Sequence, residues 1–233
     1  MSIPNLDSYP LCRSFLSGYL SMRDDPKNFP PGEFPHLLER YEKIFQSALQ
    51  TLGLKPEELR SRSEFRFDSG NAANLEGGIA ILRVVEALRL ENFLDIALVK
   101  TKKGKPGADI TCEKEGQKIC LEVKAITKQS SGRAGLFLED QLYEKILENL
   151  PKARMQLDAT ASELQCSLKF FTCVLNWFDQ SIYLGQSQYQ QIVDRLERDG
   201  NQESLKGVDG ILFVTKMGQR FLFLNERAKV VDR

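Results

Sequence analysis

Residues 106–124 read Pro-Gly-Ala-Asp-Ile-Thr-Cys-Glu-Lys-Glu-Gly-Gln-Lys-Ile-Cys-Leu-Glu-Val-Lys. Two strand-like runs flank Glu115-Gly116, the natural two-residue turn of a hairpin. With that loop Lys114 faces Gln117, and counting back along both strands sets Asp109 directly opposite Glu122. Lys124, two places beyond Glu122, points to the same side. The other side carries Ile110, Cys112, Ile119, Leu121, Val123 and Ala125, an almost wholly apolar set suited to a core. Glu-Gly is a weaker turn signal than Asn-Gly, and a one-residue slip would put the two carboxylates on opposite faces.

Facing carboxylates repel and destabilise a strand pair unless something positive compensates. Lys124 alone does this as a salt bridge. A hard divalent cation with oxygen ligands, such as Mg²⁺, does it more fully. An ammonium beside that ion can then steer a water, while the ion stabilises charge growing on a phosphoryl oxygen.

Outward from this hairpin, Phe93–Lys100, Ala108–Lys114 and Gln117–Ile126 read as three strands. Before them, Ser69–Leu90 is an amphipathic helix carrying Glu76 beside its apolar stripe. After them come a long helix over about 137–162, a buried strand over 168–178 with a candidate edge at 182–184, and a helix over 189–198. A closing hairpin pairs 210–215 with 220–224 around Met217-Gly218. Six of nine prolines precede residue 36, so the first 35 residues form an arm with a short helix near 11–22. A helix follows over 37–52 with Gly53 as its C-cap, and Pro56 starts a further turn. The expected organisation is an arm over 1–60, a mixed α/β core over 61–185, and a helix-and-hairpin extension over 186–233.

The 233 residues are ample for a core. Basic and acidic residues balance at 32 each, so attraction for any ligand must be local. Five cysteines without a Cys-x-x-Cys pair read as reduced thiols, and the absence of an N-terminal leader or a long apolar span reads as cytoplasmic. His36 is the single histidine, which excludes His-rich zinc sites and leaves a catalytic Ser-His relay without support. Neither a Walker loop nor a Gly-x-Gly-x-x-Gly turn is present. Chemistry must rest on carboxylates, lysines and a metal.

Asp109 followed by Glu122-x-Lys124 across a hairpin, with a glutamate-bearing helix before and a long helix and buried strand after, resembles the PD-(D/E)xK nuclease superfamily, the restriction-endonuclease-like proteins. The likeness covers roughly residues 69–178. It implies a core of helix, three antiparallel strands, helix and strand. It also implies that Asp109, Glu122 and the carbonyl of Val123 hold Mg²⁺ or Mn²⁺, that Lys124 handles the attacking water, and that Glu76 supplies a further carboxylate. The literal Pro-Asp pair is missing, because Gly107-Ala108 separates Pro106 from Asp109. A second Asp-x-Lys triplet, Asp25-Pro26-Lys27, lies in a proline-rich loop and is unsuited to a strand face.

The window 97–133 holds nine basic residues against four acidic ones, a local positive field suited to a phosphate backbone. Lys102, Lys103 and Lys105 lead into Asp109, and Lys128 and Arg133 follow Lys124. These five are the candidate nucleic-acid contacts, with solvated turns as the plain alternative. Gln141 and Tyr143 read as surface, with a place facing the site as the alternative, and Phe170, Phe171, Trp177 and Phe178 read as core, with stacking on bases as the alternative. The expected function is metal-dependent hydrolysis of nucleic acid, DNA foremost, through a metal-activated water. The alternatives are a catalytically inactive domain of the same fold that binds nucleic acid or protein, and a surface charge cluster on an unrelated fold. A homodimer is left open, with 1–60 and 186–233 as the segments to carry it.

Overall fold

In a computed structural model, which describes residues 6–16, 34–62, 72–100, 106–126, 139–175, 186–200, 203–215 and 218–232, the central turn closes as the sequence predicts. Glu115 and Gly116 take φ of 50° and 69°, the two positive values that a type I′ turn requires. Lys114 pairs with Gln117, and the register runs unbroken to Ile110 opposite Leu121.

The chain divides into two compact units, Met1–Glu86 and Ala87–Arg233. The first is helical, with α1 (Pro10–Phe15), α2 (Phe34–Leu52), α3 (Pro56–Arg62) and most of α4 (Ala72–Leu90). The described part of the expected 11–22 helix is α1. Its start has no side-chain cap of its own. The buried Glu42 of α2 supplies one, accepting the N–H groups of Leu11 and Cys12 at 3.1 and 2.8 Å. Gly53, at φ 61°, ends α2 in a Schellman pair of bonds, Leu54 N–H to Leu49 and Gly53 N–H to Gln50.

The second unit is built on one six-stranded sheet in the order β1 to β6. The strands are β1 (Leu94–Leu98), β2 (Ile110–Lys114), β3 (Gln117–Ile126), β4 (Leu168–Leu175), β5 (Gly210–Thr215) and β6 (Gly218–Phe223). β1, β2 and β3 run antiparallel in sequence, β3, β4 and β5 are parallel neighbours, and β6 returns antiparallel. Each parallel step needs a crossover. The helix α5 (Glu139–Leu164) supplies the first and α6 (Gln186–Arg198) the second. The closing hairpin, expected as an extension, continues this sheet. α5 runs through Pro151, whose missing N–H removes one helical bond without ending the helix. Trp177, Phe178 and the candidate edge at 182–184 lie outside the described residues.

Strand parity matches the reading of the sequence, but its consequence does not. Ile119, Leu121 and Val123 are buried as a core face should be, and so is the opposite face. There Cys120, Phe171, Cys173, Ile211 and Phe213 share a cluster with Ile146, Ala153 and Leu157 of α5. The carboxylate-bearing face is therefore the one the crossover helix covers, as parallel neighbours demand.

Candidate active site

Asp109 immediately precedes the first residue of β2. Its N–H bonds to the carbonyl of Leu121 at 3.0 Å rather than extending the Ile110 to Leu121 ladder by a facing pair. The direct opposition to Glu122 expected from counting is therefore replaced by a half-step. The Asp109 side chain fills the gap, with Oδ2 accepting the N–H of Val123 at 2.8 Å. Because N–H and C=O of one strand residue point to the same edge, the Val123 carbonyl also faces this side, past the end of the β2 ladder. Asp109 and that carbonyl thus share one edge of β3.

Two contacts from α5 hold the segment that delivers Asp109. Thr160 Oγ1 accepts the N–H of Ala108 at 2.7 Å, and Gln156 Nε2 donates to the carbonyl of Gly107 at 3.1 Å. Thr160 is buried. The sequence reading assigned neither residue; the available signal was a hydroxyl at helical spacing from Ala153 and Leu157 on the inward stripe.

Glu122 is 1% exposed. Lys124 Nζ reaches its Oε1 at 2.5 Å, while its Oε2 is buried without a hydrogen-bond partner. Burial first, and the neighbouring Asp109 carboxylate second, push Glu122 up to about 8, with Lys124 opposing both. The arrangement is a buried carboxyl beside a second carboxylate, with one oxygen on Lys124 and the other without a donor, and it has a raised affinity for a proton.

The structure thus brings Asp109, Glu122, Val123 and Lys124 together. Glu76 belongs to α4, and its side chain lies outside the described residues, as do Lys102, Lys103, Lys105, Lys128, Arg133 and the Gln141 side chain. Tyr143, expected at the surface, is buried. Its hydroxyl donates to Asp199 and the Arg195 guanidinium lies 3.8 Å from its ring centre, a structural role in the α5–α6 contact. Burial and Asp199 raise its hydroxyl to about 12. Among the described residues no group of three or more His, Cys, Asp or Glu side chains is placed to hold a metal. The described donor set is two carboxylates and one carbonyl, which suits an ion that keeps several waters.

A cavity of about 400 Å³ lies beside this cluster, bounded by residues 97–100, Pro106, Gly107, Thr111 and the end of α5. Neither Asp109 nor Glu122 lines it. Among the described residues no helix is long and apolar enough to cross a membrane. No family model, curated protein or solved structure matches this chain.

Proposed function

We propose that this protein is a metal-dependent nuclease with a restriction-endonuclease-like core, acting on the phosphodiester bonds of nucleic acid, with DNA as the first substrate to test. The observation that carries the reading is the orphaned Oε2 of Glu122, buried next to Asp109 where the β2 ladder stops. A buried oxygen without a donor is costly unless it binds something positive. The strand order also supports the reading: three antiparallel strands, a crossover helix and a parallel fourth strand follow α4 in the sequence the resemblance implies.

In this proposal Asp109 Oδ, Glu122 Oε2 and the Val123 carbonyl hold Mg²⁺ or Mn²⁺. The bound ion supplies Lewis-acid stabilisation of charge on the phosphoryl oxygens and lowers the proton affinity of water. Asp109 keeps its bond to Val123 N–H, which fixes its carboxylate against the strand. Lys124, freed from part of its pairing with Glu122, holds or moves a proton at Nζ beside the attacking water. The basic residues Lys102, Lys103, Lys105, Lys128 and Arg133 are proposed to track the phosphate backbone.

A second reading has its own observation. Glu122 is almost fully enclosed and its Oε1 is already occupied by Lys124 Nζ, an arrangement that suits a domain of the same fold that binds nucleic acid or a protein without cleaving it. Purified protein incubated with plasmid, linear and branched DNA in Mg²⁺ or Mn²⁺ separates the two. Nicking that needs the ion and is lost in Glu122→Gln supports the nuclease. Retention of DNA without cleavage supports the binding module.

A further inference from the structure

All five cysteines are free, and four of them are buried; only Cys166 is partly exposed. It sits just past the end of α5, where Gln165 takes φ 56° and the Cys166 N–H bonds to Ala161 at 3.1 Å. The turn then docks on β3: Ser167 N–H donates to the Lys118 carbonyl at 2.8 Å, and Leu168 pairs with Ile119. This brings Cys166 to the stretch of β3 that carries Cys120. The Cys120 thiol points toward α5, 3.7 Å from the carbonyls of Leu157 and Leu168. Cys166 packs against the same cluster, close enough for each thiol to shift the other's proton affinity.

The pairing is unequal. Cys166 is reachable from solvent and Cys120 is not. The neighbouring Cys120 thiol and the Lys118 ammonium hold the Cys166 thiol below its ordinary value despite partial burial, while Cys166 and burial push Cys120 up, so Cys166 is the sulfur that reacts first. A solvent-reachable sulfur with a lowered proton affinity next to a second thiol is the arrangement that reacts with peroxides and then resolves to a disulfide. Buried thiols without such a neighbour, such as Cys173, are inert by comparison.

We propose that Cys166 is a site of oxidation by hydroperoxides and that Cys120 resolves it to an intramolecular disulfide. The Cys166 thiolate attacks the hydroperoxide oxygen; an S–O bond forms, the O–O bond breaks, and the peroxide leaves as an alkoxide or hydroxide that takes a proton from water. Sulfur is oxidised to sulfenic acid and the peroxide is reduced. The Cys120 sulfur then attacks that of Cys166; the S–S bond forms, the S–O bond breaks, and hydroxide departs as water with the Cys120 proton. The disulfide would tie β3 to the start of β4, independently of whether the carboxylate cluster binds a metal.

The sequence makes the test clean, because trypsin places Cys120 in the peptide Ile119–Lys124 and Cys166 in Met155–Lys169, each with no other cysteine. The full-length protein is treated with hydrogen peroxide, alkylated after denaturation, and mapped by mass spectrometry. The expected product is these two peptides joined, released by dithiothreitol, on a chain that stays monomeric in a non-reducing gel. The Cys120 thiol should be lost roughly tenfold faster than that of Cys173, and Cys166→Ser should bring its loss down to the Cys173 rate. Wild-type protein oxidised in the presence of dimedone should instead carry the adduct on Cys166, a readout that needs no variant. Peptides that remain unlinked, with Cys120 still alkylated after Cys166 has been oxidised, would overturn the proposal. So would a link found only between two chains.

Discussion

Replacing Glu122 by glutamine removes the carboxyl whose proton affinity the fold raises most clearly among the described residues, and the consequence can be worked with its sign. In the folded chain Glu122 titrates at about 8, against an ordinary value of 4.5. Between these values the native state holds a proton that the unfolded chain has lost, so stability falls as pH rises. The contribution is fully present below 4.5 and gone above about 8. Each pH unit in that window is worth about 1.4 kcal/mol, so the total is on the order of 5 kcal/mol, with Lys124 already counted among its causes. Urea unfolding followed by circular dichroism in EDTA, from about pH 5 to about pH 8, measures it as the difference between wild type and Glu122→Gln. Wild type should lose stability relative to the variant across the window. A difference that stays constant, or that grows in favour of wild type as pH rises, would refute the reasoning. It would mean that Lys124 neutralises Glu122 fully.

Asp109→Asn keeps an acceptor for Val123 N–H while removing the charge that faces Glu122. It should therefore stabilise the metal-free protein by about 1 kcal/mol at a pH above the Glu122 titration, where both carboxyls are charged, and by less at neutral pH, read from thermal melts in EDTA. Thr160→Val strands the Ala108 N–H in a buried position and should cost about 1–3 kcal/mol in urea melts, while Ser in its place should recover most of the loss. Glu115→Asn puts a residue that tolerates positive φ into the first turn position and should raise stability by about 0.5–1 kcal/mol. Replacing Lys102, Lys103 and Lys105 by alanine should flatten the salt dependence of DNA binding in fluorescence anisotropy; an unchanged slope would leave the loop as solvated surface.

The hairpin register was legible because parity is rigid: a two-residue turn at Glu115-Gly116 fixes which residues of β2 and β3 share a face. What counting residues does not contain is where a ladder stops. Asp109 leaves the pairing because its own side chain offers Val123 N–H a better partner, and only coordinates show that half-step. The burial of Glu122 was also hidden, since a strand with polar residues on one face reads as half-exposed until its parallel neighbour and the helix between them are known. The same limit explains Tyr143, whose helix position gives no sign of α6 beside it. Thr160 and Gln156 act on backbone groups some fifty residues away in sequence, a relation that no local pattern encodes.

The central claim is that Asp109 and Glu122 together hold a divalent ion. Isothermal titration of Mn²⁺ into the metal-free protein at a pH above the Glu122 titration tests it without reference to any substrate. The account predicts saturable binding in wild type that is abolished in Glu122→Gln and Asp109→Asn, both still folded by circular dichroism. No binding in wild type, or binding of equal strength in both variants, would contradict it.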